Sequence, residues 1–153
     1  MYFVDLKNSE MEEFTMKEQP MKGQCLCGGI AFSAQEMPGK VVNCHCSRCR
    51  VSHGADYATQ AFAVRSSLVF ERGEALLKEY QSTGGIRTFC SHCGSRLMNY
   101  APNNGDYLSI ATACLDENYT RKAVSHCYTG SKAVWHEPSV AIPSHDELPS
   151  DLF

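Results

Sequence analysis

No run of about 18 apolar residues occurs in this 153-residue chain, so no segment reads as a membrane-spanning helix. A basic surplus is missing as well. Lysine and arginine number 14 against 17 acidic residues, a net charge of −3, which argues against DNA or RNA as the main partner. There is no internal repeat and no low-complexity tract. The opening residues, Met1 to Lys7, lack the basic and long apolar stretches of a secretory signal, so the expected location is the cytoplasm. Charged residues make up 20% and hydrophobic residues 43%, an ordinary globular balance rather than a disordered one.

The chain divides by texture. Residues 1–20 carry Asp5, Glu10, Glu12, Glu13 and Glu18 among scattered apolar positions and read as a polar, poorly ordered extension. Residues 21–153 read as a single domain. Within it, short segments cut by Gly, Pro, Asn and Ser predict strands at 30–33, 41–43, 59–65, 68–70, 86–89, 96–100, 107–111 and 125–128. Helix signals are few: a short helix from about Ser47, and Glu74 to Tyr80, read as entering a strand. Asn103-Asn104-Gly105-Asp106 is the clearest hairpin turn, since Asn and Gly tolerate positive φ. The final stretch from Pro138 is expected to wrap over the surface. The expected fold class is all-β, with few short helices.

Cysteine is what the chain has in excess. Seven of its nine cysteines form three clusters: Cys25-x-Cys27, Cys44-His45-Cys46-x-x-Cys49 and Cys90-x-x-Cys93. In a chain expected to stay unexported, such thiols are kept reduced for metal rather than spent on disulfides. Closely spaced thiolates on glycine-bearing turns suit tetrahedral zinc. Cys25 and Cys27, followed by Gly28-Gly29, and Cys90 and Cys93, followed by Gly94, supply the four sulfurs of one structural site. The competing reading, a redox dithiol, lacks the βαβ context such a motif requires.

Cys44, Cys46 and Cys49 then remain as three ligands with a free fourth position, the arrangement that admits water or substrate. Three thiolates leave zinc a formal charge of −1. Such a site is better suited to capturing an incoming thiolate than to activating water. Two alternatives stay open at this point. A distant His or Cys (His53, His92, His126 and His136 are available) closes a second structural site, or the triplet shares ligands with Cys90 and Cys93. Cys114 and Cys127 stand alone in sequence and read as small buried hydrophobes. His45 is expected to point away from the metal, and Trp135 to pack in the core.

Gly23-x-Cys25-x-Cys27-Gly28-Gly29-Ile30-x-Phe32, Cys44-His45-Cys46-Ser47-x-Cys49-Arg50 and Phe89-Cys90-x-x-Cys93-Gly94-Ser95-x-Leu97 closely resemble the glutathione-dependent formaldehyde-activating enzyme family, which includes centromere protein V. The likeness extends through His126 and Lys132-Ala133-x-Trp135, covering roughly residues 22 to 150. It implies a β-tent-like, mostly antiparallel fold with two zinc ions. One is structural, on Cys25, Cys27, Cys90 and Cys93; the other is catalytic, on Cys44, Cys46 and Cys49. The implied activity condenses formaldehyde with glutathione to S-(hydroxymethyl)glutathione, a carbon–sulfur lyase reaction. Because glutathione carries two carboxylates, Arg48, Arg50, Arg87 and Arg96 are candidates to line its approach, and His45, His53 and His126 to move a proton. A non-enzymatic, zinc-stabilised binding module is the alternative, since a fold does not fix a chemistry.

Overall fold

The computed structural model describes residues 19–102 and 105–152. The expected polar extension thus lies almost wholly outside the described residues, as do Asn103 and Asn104 of the expected turn. The described chain is mostly β, in two sheets whose strand pairs are antiparallel with one exception. Strands run β1 (Met21–Gln24), β2 (Ala31–Ala34), β3 (Val42–Cys44), β4 (Ala58–Val64) and β5 (Val69–Arg72). Then follow β6 (Leu77–Ser82), β7 (Gly85–Cys90), β8 (Arg96–Tyr100), β9 (Tyr107–Ala111) and β10 (Ser125–Cys127). The helix α1 (Ser47–His53) lies between β3 and β4.

Three strands form a small sheet in the order β1-β2-β5, and seven form a large one, β10-β3-β4-β9-β8-β7-β6. The exception to antiparallel pairing is β10 on β3, which brings the chain's C-terminal part back beside its early strand. Every predicted strand is present within a residue or two. Two strands were not predicted at these bounds. The first, β1, buries Met21 and Gly23 with Lys22 and Gln24 exposed, an alternation too short to register. The second, β6, follows a 3-10 turn at Glu74–Leu76, so only the latter part of the Glu74–Tyr80 segment is strand.

The main core lies between the small sheet and the middle of the large one. Ile30 and Phe32 from one side meet Leu97, Met98, Leu108 and Ile110 from the other, all essentially inaccessible to water. A second apolar cluster forms around β3, β4 and β10, built from Val42, Ala58, Phe62 and Leu152 with Cys44, Cys49 and Cys127. The stretch after Pro138 is mainly exposed. It is pinned by the Lys40 N–H to the Leu152 carbonyl (3.0 Å) and by a bridge between His126 and Ser144.

Candidate metal centres

Both halves of the first cysteine cluster arise from hairpin connections. Residues 25–30 join β1 to β2, and residues 91–95 join β7 to β8; the two loops face each other across the gap between the sheets. Loop 25–30 is closed by the Cys25 N–H to the Ile30 carbonyl (3.1 Å), while the Ile30 N–H returns to Cys25 Sγ (3.2 Å). In the other loop the Cys90 N–H reaches the Ser95 carbonyl (3.0 Å) and the Gly94 N–H the Cys90 carbonyl (2.8 Å). Gly28 at φ 71° and Gly94 at φ 77° occupy left-handed backbone, where a side chain would be strained. The loops also bond directly, Leu26 N–H to Ser95 Oγ at 2.8 Å.

The sulfurs of Cys25, Cys27, Cys90 and Cys93 consequently lie within 4.8 Å of one another. A zinc–sulfur bond of about 2.3 Å places tetrahedral sulfurs about 3.8 Å apart. Cys25 and Cys27 are 3.5 Å apart and Cys27 and Cys90 3.9 Å. The cage fits a tetrahedral ion such as zinc. Ser95 adds its hydroxyl to Cys93 at 3.2 Å and, with its backbone N–H, lowers that thiol to about 5.

The second cluster sits where β3 ends. Its last residue is Cys44, and Cys46 is the N-cap of α1, accepting the Cys49 N–H at 3.3 Å. That bond brings Cys46 and Cys49 to the same helix end, and the three sulfurs again lie within 4.8 Å. The Gln60 side-chain amide approaches Cys49 Sγ from β4 at 3.9 Å. Packed this closely, the thiols do not all ionise unaided. Hydrogen bonds from Cys44 and Cys49 hold Cys46 down, well inside the thiolate range. Cys49 is pushed up by Cys44 and Cys46; Cys44 is pushed up first by the Cys127 thiol and then by Cys46. A bound cation is what would allow all three to be thiolates together, so this donor set too fits zinc.

The alternative of crossed pairing does not hold: Cys90 and Cys93 group with Cys25 and Cys27. None of His53, His92, His126 or His136 joins either group among the described residues. His45 is fully buried and turns into a cluster of rings, its Nε2 2.9 Å from His126 Nδ1, with Tyr57 and His136 at centroid distances of 5.0 and 5.6 Å. Burial, then the neighbouring His126, depresses it to about 4, so it is neutral at ordinary pH.

One sequence expectation fails. Trp135 is not in the core: it is 74% exposed and donates from Nε1 to Asp56 at 2.8 Å. Cys127 is buried in an apolar cluster as expected, but it has a neighbour that the sequence did not indicate. Its strand β10 pairs in parallel with β3, setting Cys127 opposite Cys44 in the same apolar cluster. The intervening sequence, more than half the domain, gives no local sign of that pairing.

The arginines divide. Arg48 bonds the Thr83 carbonyl, and Arg50 bonds the carbonyls of His45 (3.3 Å) and Ser131 (3.1 Å), so both brace loops around α1. Arg87 and Arg96 face the second cluster electrostatically, Arg87 helping to hold Cys46 low. Each keeps a buried N–H without a partner, Nη1 of Arg87 and Nε of Arg96. His53 closes the same region with a buried, unpartnered Nε2, lowered to about 4 by burial and then by Arg96 and Arg87. An open groove of about 740 Å³ is lined by His53, Arg96, Cys25 and Cys114 among others, but by none of Cys44, Cys46 and Cys49.

The fold is shared with a crystallised protein of Rhodobacter sphaeroides, at 30% identity and a TM-score of 0.55, over 63% of this chain and 89% of that one. The sequence profile of one family, described as glutathione-dependent formaldehyde-activating enzyme, matches residues 20–131. That span takes in both cysteine clusters and most of the described strands, and the chain belongs to the glutathione-dependent formaldehyde-activating enzyme family.

Proposed function

We propose that residues 21–153 form one zinc-binding domain that acts as a carbon–sulfur lyase, condensing a small thiol such as glutathione with formaldehyde to S-(hydroxymethyl)glutathione. The observation that carries this reading is the group of three sulfurs, Cys44, Cys46 and Cys49, beside two arginines with unspent N–H donors. Cys25, Cys27, Cys90 and Cys93 would hold a structural zinc and the triplet a catalytic one. The chemistry that second ion supplies when bound is to lower the pKa of an incoming thiol.

The chain's own residues do the rest. Cys44 on the sheet and Cys46 and Cys49 on the helix end fix one face of the site, leaving the opposite face for the substrate sulfur. Arg87 and Arg96 offer fixed cationic donors to an anionic thiol and to the oxyanion that forms on the aldehyde, which is positioning and electrostatic stabilisation together. His53 is neutral at physiological pH, so its imidazole adds no third positive charge there. The reaction forms one carbon–sulfur bond and moves the thiol proton to the aldehyde oxygen, with no change of oxidation state.

Two measurements test this. Exchange NMR on a mixture of formaldehyde and glutathione should show faster interconversion with the protein than the uncatalysed reaction. Replacing Cys46 by Ser should abolish that acceleration and remove one of two zinc ions while the chain stays folded. Unaltered exchange rates with fully loaded protein would leave a metal-stabilised scaffold.

A further inference from the structure

We propose that Cys127 is a fourth, exchangeable thiolate for the second metal site, occupying the vertex that the substrate thiol takes over. The inference rests on the reading of Cys44, Cys46 and Cys49 as a zinc site and adds a ligand to it.

The sheet supplies the argument. In β10, residues Ser125, His126 and Cys127 pair with Val42, Asn43 and Cys44, so Cys127 and Cys44 emerge side by side on one face. The His45 N–H bonds the Cys127 carbonyl at 2.9 Å, fixing both strands at this point. Cys127 is 1% exposed and packs in the cluster that contains Cys44 and Cys49. It stands outside the triangle of sulfurs that share 4.8 Å separations, in the same apolar cluster as Cys44 and Cys49. One change of χ1 rotamer carries a cysteine sulfur about 3 Å without moving the backbone.

Charge supports the same assignment. Four thiolates around Zn²⁺ carry a formal −2, and burying that charge requires compensation. The charge of Arg87 reaches Cys46 and that of Arg96 reaches Cys49, and each arginine retains a buried N–H with no partner, so two cations are available to compensate it. Exchange needs no oxidant. The incoming thiol gives its proton to the Cys127 thiolate as the two sulfurs trade places, leaving Cys127 as a buried neutral thiol. Cys127 is thereby also the proton acceptor for the first step of the proposed reaction.

Cadmium NMR of the cadmium-loaded protein reads sulfur count at each site. The expected wild-type spectrum has two resonances, both in the four-sulfur range. Cys127→Val, which suits a buried strand position, should shift one of them upfield to the three-sulfur range and leave the other in place. Cys127→Ser serves if the valine variant folds poorly. A variant spectrum that overlays the wild type, or a wild-type resonance already in the three-sulfur range, overturns the proposal. Adding glutathione to the variant distinguishes the two readings. Return of the shifted resonance to the four-sulfur range supports thiol capture; its staying put refutes the proposed function while the ligand role of Cys127 stands.

Discussion

At the scale of single residues, His53 converts burial into a pH dependence. It closes α1 with an unpartnered Nε2, and desolvation, then Arg96 and Arg87, bring it from 6.5 to about 4. Its folded pKa is depressed, so between these values the unfolded chain binds the extra proton. Stability is therefore full above pH 6.5 and falls as the pH drops towards 4. Replacing His53 by Gln removes this contribution. Between pH 6.5 and 4.5 the variant should lose about 2 kcal/mol less unfolding free energy than wild type. Protonation of the cysteines affects both proteins and cancels in the comparison; equal losses would show that His53 is not desolvated as described. This behaviour was invisible in sequence, where His53 was one histidine among several. The grouping of the clustered sulfurs was legible because their spacing is a local property of the chain. The surroundings of Cys127 and Trp135 were not legible for the opposite reason: the partner of one, Cys44, and of the other, Asp56, lie some 80 residues away.

At the scale of elements, strand positions were readable from short runs between turn residues, although β3 and β10, which carry the second cluster, hold only Val42 among β-branched residues. Strands β8 and β9 have the bounds that their alternation predicts, and they carry Leu97, Met98, Leu108 and Ile110 into the core. Helix α1 was likewise announced by its own residues, and the cap explains why it forms at only seven residues. Cys46 accepts the Cys49 N–H at one end, and Gly54, left-handed at φ 60°, returns its N–H to Arg50 and Val51 at the other. Pairing order was not readable, because strand adjacency is decided by how faces bury and not by local propensity. Leu108, fully buried on β9 next to β4, tests the load this packing carries. Leu108→Ala should cost about 2–5 kcal/mol in chemical denaturation. Because β4 also holds Gln60 against Cys49, the variant should keep both metals at low denaturant if core and site are separable. Loss of the second zinc without denaturant would instead show that the core sets the cage geometry.

At the scale of the molecule, the first cluster is the clasp between the two sheets. Cys25 and Cys27 belong to the connection of the small sheet, Cys90 and Cys93 to a hairpin of the large one. Two sheets of short strands, three and seven, expose edges that pair weakly on their own. A metal bound by four thiolates in the folded state alone contributes its binding free energy to folding, on the order of 10 kcal/mol for structural zinc. That exceeds the whole net stability of many domains, so losing this site should do more than lower the melting temperature. Cys90→Ser leaves a fully buried hydroxyl in place of a ligand, with Cys25 and Cys27 facing it. The expected result is a broad, non-cooperative thermal transition and loss of both metals, since β7 also carries Arg87 towards the second cluster. Cys46→Ser removes only the ion beside α1 and should keep a sharp transition. Calorimetry with metal analysis on the two variants separates the roles: similar cooperative melting in both would mean that the sheets hold together by their core, with the clasp secondary.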